Sequence, residues 1–82
     1  MQVTIKYFAS IREAIGQASE QRETAATTLA GLRDELVAAG PAYTCLSRGR
    51  AVRMAFGQVM SDEITLLAPG CEVAFFPPVT GG

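Results

Sequence analysis

The sequence ends with the stretch Val73-Ala74-Phe75-Phe76-Pro77-Pro78-Val79-Thr80-Gly81-Gly82. Its first four residues have the β-branched and aromatic character of a strand, and Pro77 ends that strand because proline has no N–H to donate to a sheet. Two adjacent prolines favour an extended path, so the six residues from Pro77 can reach roughly 20 Å beyond the sheet at ~3.3 Å per residue. We therefore predict a domain over residues 1–76 and an extended tail over residues 77–82.

The tail ends in a group that points to chemistry, the terminal carboxylate of Gly82. Glycine has no Cβ, so Gly81 and Gly82 can enter a narrow slot and leave that carboxylate unshielded. An α-carboxyl group has a pKa of about 3.5, so it is ionised at neutral pH and can attack the α-phosphate of ATP. The alternative is an ordinary frayed terminus. The stiff pair of prolines before the glycines favours the chemical interpretation, since a disordered end has no need of it and is more often polar.

Length and composition indicate one globular domain. The chain has 82 residues, of which 49% are hydrophobic and 18% charged, and its net charge is −1. Such a length leaves no room for a second hydrophobic core. A nucleic-acid-binding surface would be strongly basic, so no nucleic-acid partner is expected. Arg48, Arg50 and Arg53 come nearest to a basic cluster; we interpret them as ordinary solvated surface, with an acidic partner or an anionic substrate as the alternative.

Several classes of function are disfavoured by what the sequence lacks. No apolar run approaches the roughly 20 residues that span a bilayer, and the start resembles no signal peptide, so we expect a cytoplasmic protein without a membrane partner. Histidine, the commonest general base and metal ligand, is absent. There is no glycine-rich phosphate-binding motif either. We expect no metal site and no enzyme active on its own, and we expect Cys45 and Cys71 to be reduced thiols that pack as small apolar residues.

The first third of the chain predicts two strands around a short helix. Residues 2–8 alternate as a half-buried strand does, with Val3, Ile5 and Tyr7 on the inner side. We predict a short helix over residues 11–15, capped by Ser10 and ended by Gly16. The charged residues 18–24 predict an edge strand antiparallel to the first, because charges protect edges from unwanted pairing.

The main helix is predicted after an N-cap at Thr27 or Thr28. Its apolar stripe is typical of a helix that covers a sheet, and Gly40-Pro41 ends it. Arg33, Asp34 and Glu35 are interpreted as its solvated face. The residues of the stripe are Leu29, Leu32, Leu36 and Val37.

The last third predicts a connector with short helical turns over residues 43–50 and then further strands. Residues 50–56 alternate, with Val52, Met54 and Phe56 on one face, and Gly57-Gln58 indicates a tight turn into a short strand at Val59-Met60. Residues 61–63 form a further predicted turn, and Pro69-Gly70 reverses the chain into the last strand. We expect Ile64, Leu66 and Leu67 to enter the core.

This order of elements predicts an α+β roll in which one mixed sheet packs on one main helix. The first and last strands are expected to be central neighbours that run parallel. A β-grasp, or ubiquitin-like, topology fits this arrangement.

On such a fold, the residues resemble a known family. Residues 69–82, from Pro69-Gly70 to the Phe-Phe-Pro-Pro-Val-Thr-Gly-Gly ending, are similar to the C-terminal signature of the small, MoaD-type subunit of molybdopterin synthase. Residues 8–16 resemble that family's first strand and helix, and residues 28–36 resemble its main helix. Cys71, in place of the usual aspartate, and Gly57, in place of a common asparagine, depart from the pattern, and both lie in predicted turns.

The resemblance implies that the chain is a sulfur carrier. An adenylating, E1-like sulfurtransferase partner would use ATP to activate Gly82 as an acyl-adenylate, and a sulfur donor would convert it to a thiocarboxylate. The chain itself would bind no cofactor. The large subunit of molybdopterin synthase would then pass the sulfur to cyclic pyranopterin monophosphate in molybdenum cofactor biosynthesis, in a heterotetramer of two copies of each subunit.

The same resemblance assigns roles to the last residues. Gly82 would be the reacting residue, and Phe76, Pro77, Pro78, Val79, Thr80 and Gly81 would contact the partner. Phe75 and Phe76 face opposite ways in a strand, so we expect Phe75 in the core and Phe76 toward the partner. Three alternatives stay open: a modifier joined to lysines through Gly82, a carrier for another pathway such as thiamine, and an interaction module with an inert tail.

Overall fold

A computed structural model describes residues 1–78. Within them, no helix is long and apolar enough to cross a membrane. In chain order the described elements are the strand β1 (Gln2–Tyr7), the helix α1 (Ala9–Ile15), the strand β2 (Ser19–Glu23), the helix α2 (Leu29–Ala39), a 3₁₀ helix (Pro41–Leu46), and the strands β3 (Arg53–Phe56), β4 (Val59–Met60) and β5 (Glu72–Phe76).

The five strands form one mixed sheet in the order β2-β1-β5-β3-β4. The first and last strands, β1 and β5, run parallel in the middle, with Ile5 opposite Val73 and Tyr7 opposite Phe75. β2 pairs antiparallel with β1, and β3 pairs antiparallel with both β4 and β5. The predicted β-grasp roll is confirmed, including its central parallel pair and its charged edge strand.

The core lies between this sheet and α2. Thr28 caps the helix by accepting a hydrogen bond from the backbone N–H of Gly31 at 3.1 Å, as one of the two predicted caps. The helix then buries Leu29, Leu32 and Leu36. The alternation predicted for β1 is confirmed, since its inner residues are buried with those of β5: Val3, Ile5, Tyr7, Val73 and Phe75.

The start of α1 differs from the prediction that Ser10 caps it. Ser10 lies inside the helix, and Phe8 is the N-terminal flanking residue, without a side-chain capping bond. The carbonyl of Phe8 accepts hydrogen bonds from the N–H groups of Ile11 and Arg12 at 3.1 and 3.2 Å. The helix therefore follows directly from β1. Its end is as predicted, because Gly16 adopts the left-handed conformation with φ of 91°.

The segment between β4 and β5 also differs from the prediction. Leu67 is buried, but Ile64 and Leu66 are 80% and 70% exposed, so their expected place in the core was wrong. This segment binds the start of α2 through its backbone: Leu29 N–H donates to the carbonyl of Thr65 at 3.0 Å, and Leu67 N–H donates to Thr27 at 2.8 Å. In such an extended path, alternate side chains point away from the core.

Arg33 is the third difference, because it was expected on a solvated face and is 4% exposed. Its Nη2 donates to Glu63 Oε1 at 2.6 Å. The segment after β4 runs beside the first turns of α2, where Ala30 N–H donates to the carbonyl of Glu63 at 2.9 Å. That segment covers the arginine and supplies its counter-charge. Asp34 stays exposed, and Glu35 is half-buried.

Candidate partner-binding site at the end of the last strand

β5 lies between β1 and β3 and leads to the predicted tail. Its last two residues face opposite sides of the sheet. Phe75 is 0% exposed and stacks on Tyr7, with ring centroids 6.3 Å apart. Phe76 is half-buried on the outer side of the sheet, away from α2. Phe75 is therefore in the core, as predicted, and the strand delivers Phe76 to the surface at the point where Pro77 begins.

Phe8 forms the neighbouring wall of this surface. Its N–H continues the ladder between β1 and β5 by donating to the carbonyl of Phe75 at 3.2 Å. The rings of Phe8 and Phe76 meet edge-on, with centroids 6.5 Å apart and an interplanar angle of 83°. Phe8 is nevertheless 48% exposed. Two aromatic side chains thus stand together on the outer face, Phe8 about half exposed and Phe76 half-buried.

A groove of about 290 Å³ extends from these two rings across the outer face of the sheet. Met60, 59% exposed, lines it from β4. Lys6 and Glu72 line it as well, and they form an ion pair at 3.7 Å. We name this surface the outer-face groove and define it by six of its lining residues: Phe8, Ala55, Gln58, Met60, Ala74 and Phe76. An apolar floor with a charged rim is typical of a protein-binding surface.

The predicted tail begins beside this groove. Pro77 and Pro78 follow β5 and are half-buried. Pro78 also lines a second groove, of about 340 Å³, with residues 50–53. The structure thus brings Phe76, Pro77 and Pro78 together at the edge of the domain. The other predicted site residues, Val79, Thr80, Gly81 and Gly82, lie outside the described residues, so their roles and the boundary of the tail stay predictions.

Sequence reasoning missed Phe8 and Met60 as walls of the groove. The parity of β1 held a signal for Phe8: with Tyr7 facing inward, the next residue falls on the side of Lys6. No comparable signal existed for Met60, because its place depends on how β3 pairs with β5 and how β4 pairs with β3. The two-residue turn between them, Gly57-Gln58, has φ of 56° and 70°, as a tight hairpin turn requires.

The ionisable groups on the inner side of the sheet are engaged with one another. Within residues 1–78, no three His, Cys, Asp or Glu side chains are grouped so that they could hold a metal ion. The hydroxyls of Tyr7 and Tyr43 both donate to Glu20, at 3.1 and 2.8 Å. Burial, reinforced by Glu20, raises the pKa of both tyrosines. These groups stabilise the inner side of the sheet, opposite the outer-face groove.

The fold defines a class: the chain is a protein of the ubiquitin-like β-grasp class. A family model described as the ThiS family matches residues 5–82. The chain belongs to the ThiS family.

Individual relatives agree with this membership. A protein of Haemophilus influenzae named "Molybdopterin synthase sulfur carrier subunit" is 33% identical over 98% of this chain and 99% of its own length. SAMP1 from Haloferax volcanii has a crystal structure that matches with a TM-score of 0.81 and 25% identity, over 100% of both chains. A chain from the complex of subunits 1 and 2 of molybdopterin-converting factor from Helicobacter pylori matches with a TM-score of 0.70 and 24% identity, over 100% of both chains. That similarity supports the fold.

Proposed function

We propose that this chain is the sulfur-carrier subunit of a molybdopterin synthase and that Gly82 is its reacting residue. The Gly82 carboxylate attacks the α-phosphate of ATP on an adenylating partner, which forms an acyl-adenylate and releases pyrophosphate. A sulfur nucleophile then attacks the acyl carbon and AMP leaves. The product is a terminal thiocarboxylate, whose sulfur passes to cyclic pyranopterin monophosphate on the large subunit to form the dithiolene of molybdopterin.

The observation that carries this proposal is the full-length similarity to a protein named as a molybdopterin synthase sulfur carrier subunit, at 33% identity. The described structure supports it through its shape. β5 is paired with β1 up to Phe75 and with β3 up to Phe76. A rigid central strand that ends at a proline pair is a firm base from which a reactive terminus can be presented.

The catalytic groups in this proposal belong to the partners. The chain supplies an acyl group and a docking surface, binds no cofactor itself, and uses ATP through the adenylating, E1-like partner in the cytoplasm. Two copies join a dimer of the large subunit in a heterotetramer. The outer-face groove, which includes Phe76, docks on the body of the large subunit. Residues 77–81 enter the channel of that subunit, with their backbone as an added strand.

The test is the mass of the intact chain after incubation with the adenylating partner, ATP and a sulfur donor. Replacement of one terminal oxygen by sulfur, lost again on addition of the large subunit and cyclic pyranopterin monophosphate, is the expected result. The control omits ATP. A chain that keeps its original mass under all conditions would overturn the proposal.

A second candidate function is a protein modifier, because the chain is 25% identical to SAMP1, a small archaeal modifier protein, over its full length. Its signature is an isopeptide bond between Gly82 and a lysine of another protein. The same incubation in a cell extract distinguishes the two: the carrier gives a free thiocarboxylate, and the modifier gives conjugates of higher mass. Deletion of the gene tests the remaining alternative, a sulfur carrier for thiamine synthesis. The proposal predicts that molybdenum-enzyme activity is lost and that thiamine synthesis stays intact.

A further inference from the structure

The basic residues of this chain are unevenly distributed. Residues 36–61 hold three of the seven basic residues, Arg48, Arg50 and Arg53, and none of the eight acidic ones. The rest of the chain, with four basic and eight acidic residues, is correspondingly acidic. A local excess of positive charge in a chain of net charge −1 costs electrostatic repulsion unless a counter-charge lies nearby in space.

The structure supplies that counter-charge to some arginines and not to others. Arg48 donates two hydrogen bonds to the carboxylate of Asp34, at 3.0 and 2.8 Å. Arg33 is paired with Glu63 at 2.6 Å. Arg50 and Arg53 are exposed, and within residues 1–78 neither side chain takes part in an ion pair or a hydrogen bond.

These two arginines lie at the base of the tail. Arg53 stands opposite Phe76 in the pairing of β3 with β5. Arg50 and Arg53 line the groove of about 340 Å³ that contains Pro78. They also line a neighbouring cavity of about 510 Å³, whose lining holds the paired Arg33 and Arg48 together with Asp62 and Glu63. Among the described residues, the groove that contains Pro78 is lined by both arginines and by no acidic residue, so the surface next to the tail base is positive there. We name Arg50 and Arg53 the arginine rim.

We propose that the arginine rim docks on a carboxylate-rich surface of the adenylating partner, beside the channel that takes up the tail. The inference rests on the proposed function. Its basis is charge complementarity and the continuity of the rim with the tail base. Nucleotide phosphates are the less suitable anion, because Gly82 lies four residues beyond Pro78 and an extended tail places it roughly 13 Å away at ~3.3 Å per residue.

Charges at the rim of an interface act mainly on the association rate and its dependence on salt. Loss of both rim charges should therefore slow association with the partner about tenfold at low salt, and it should flatten the dependence of the rate on salt concentration. The dissociation rate should change much less. A glutamine keeps the polarity and most of the length of arginine, so Arg50→Gln/Arg53→Gln isolates the charge.

A matched control removes the same total charge elsewhere. Arg12→Gln/Arg22→Gln neutralises two arginines that line neither cavity beside the tail base, Arg12 on α1 and Arg22 on β2, where Arg22 pairs with Glu35 at 2.9 Å. Circular dichroism and urea unfolding check that both double variants are folded. A steering role for net charge alone predicts that the two variants slow association equally, whereas the proposal predicts slowing by the rim variant only.

The experiment measures association of the full chain with the adenylating partner of the same organism by stopped-flow fluorescence, at low and at moderate salt. Slower, salt-insensitive association of the rim variant beside a control variant within about twofold of wild type is the expected result. The docking role of the arginine rim would be overturned by any of three results: equal rates for all three proteins, equal slowing of both variants, or a raised KM for ATP with unchanged association. Failure of the wild-type chain to bind the partner at all would overturn the proposed function along with it.

Discussion

Phe75 and Phe76 are neighbours in β5, yet one is 0% exposed and stacked on Tyr7 while the other meets Phe8 edge-on at the surface. The two-residue period of a strand separates them. Adjacent residues of one type thus serve different purposes, one in the stability of the domain and one in the surface it presents. This pair offers an internally matched test of the proposed docking site.

Phe75→Ala should lower the free energy of unfolding by about 3–5 kcal/mol, because it leaves a cavity in a close-packed core. Phe76→Ala should lower the free energy of unfolding by only about 1 kcal/mol, the order of one aromatic contact at the surface. It should nevertheless weaken association with the large subunit at least tenfold. Urea unfolding and partner titration measure the two effects. A Phe76→Ala chain that binds like the wild type would show that Phe76 has no part in docking.

The ion pair of Arg33 and Glu63 should act as a unit. The Arg33 side chain is 5% exposed and that of Glu63 49%. Glu63→Ala removes the counter-charge of a buried guanidinium and should lower the free energy of unfolding by about 1–3 kcal/mol. Arg33→Met/Glu63→Ala should recover most of that loss, since methionine leaves no buried charge.

Urea unfolding of the single and double variants measures this coupling, and Asp62→Ala is the matched control because Asp62 is an exposed acid next in sequence. If Asp62→Ala destabilises the chain as much as Glu63→Ala does, the effect comes from the segment after β4 and not from the Arg33–Glu63 pair. Additive effects of the two substitutions would likewise contradict the coupling.

The sequence was sufficient to predict those elements whose pattern is set by one buried face. Val3, Ile5 and Tyr7 repeat every second residue, and α2 repeats its leucines every three or four, so burial against one core determines both patterns. The same parity placed Phe75 inside. Gly16 could be predicted as a helix end because the left-handed conformation favours glycine.

Two of the three errors, the places of Ile64 and Leu66 and the burial of Arg33, share one physical origin in the segment from Asp62 to Leu67. Its backbone hydrogen bonds to the start of α2 decide which of its side chains turn outward and why Arg33 is covered. Contacts between segments about 30 residues apart leave no periodic signal. For the same reason the outer-face groove was only half predictable: Phe76 follows from its own strand, whereas Met60 depends on which strand lies next to β5.

Tyr7 should make the fold sensitive to alkali. Burial, with Glu20 beside its hydroxyl, raises the pKa of Tyr7 in the folded state far above its ordinary value near 10. The unfolded chain releases the phenolic proton above about pH 10, whereas the folded chain keeps it, so the free energy of unfolding is highest below that pH and falls as pH rises. The slope from this one group approaches about 1.4 kcal/mol per pH unit.

Urea unfolding between about pH 9 and about pH 11 measures that slope. Tyr7→Phe should have a lower free energy of unfolding at neutral pH but a shallower alkaline slope. Tyr43→Phe is the comparison at the same acceptor, Glu20. Burial also raises the pKa of Tyr43, but Tyr43 is only half-buried, so its substitution should flatten the alkaline slope less than Tyr7→Phe does. An alkaline slope unchanged by Tyr7→Phe would show that other groups carry the transition.

Lengthening the chain by one alanine after Gly82 should abolish thiocarboxylate formation and leave folding intact. The added residue moves the reacting carboxylate by about 3.3 Å, and misplacement by about 1 Å at a reacting centre already costs on the order of a hundredfold in rate. The domain should not respond, since β5 ends at Phe76. Deletion of Gly82 should have the same effect, whereas Gly82→Ala keeps the length and tests the clearance of a narrow channel separately.

Mass spectrometry after incubation with the adenylating partner, ATP and a sulfur donor measures the product, with urea unfolding as the control for folding. Efficient sulfur transfer to the lengthened chain would mean that the position of the terminal carboxylate is not read by the partner, and the assignment of Gly82 as the reacting residue would fail.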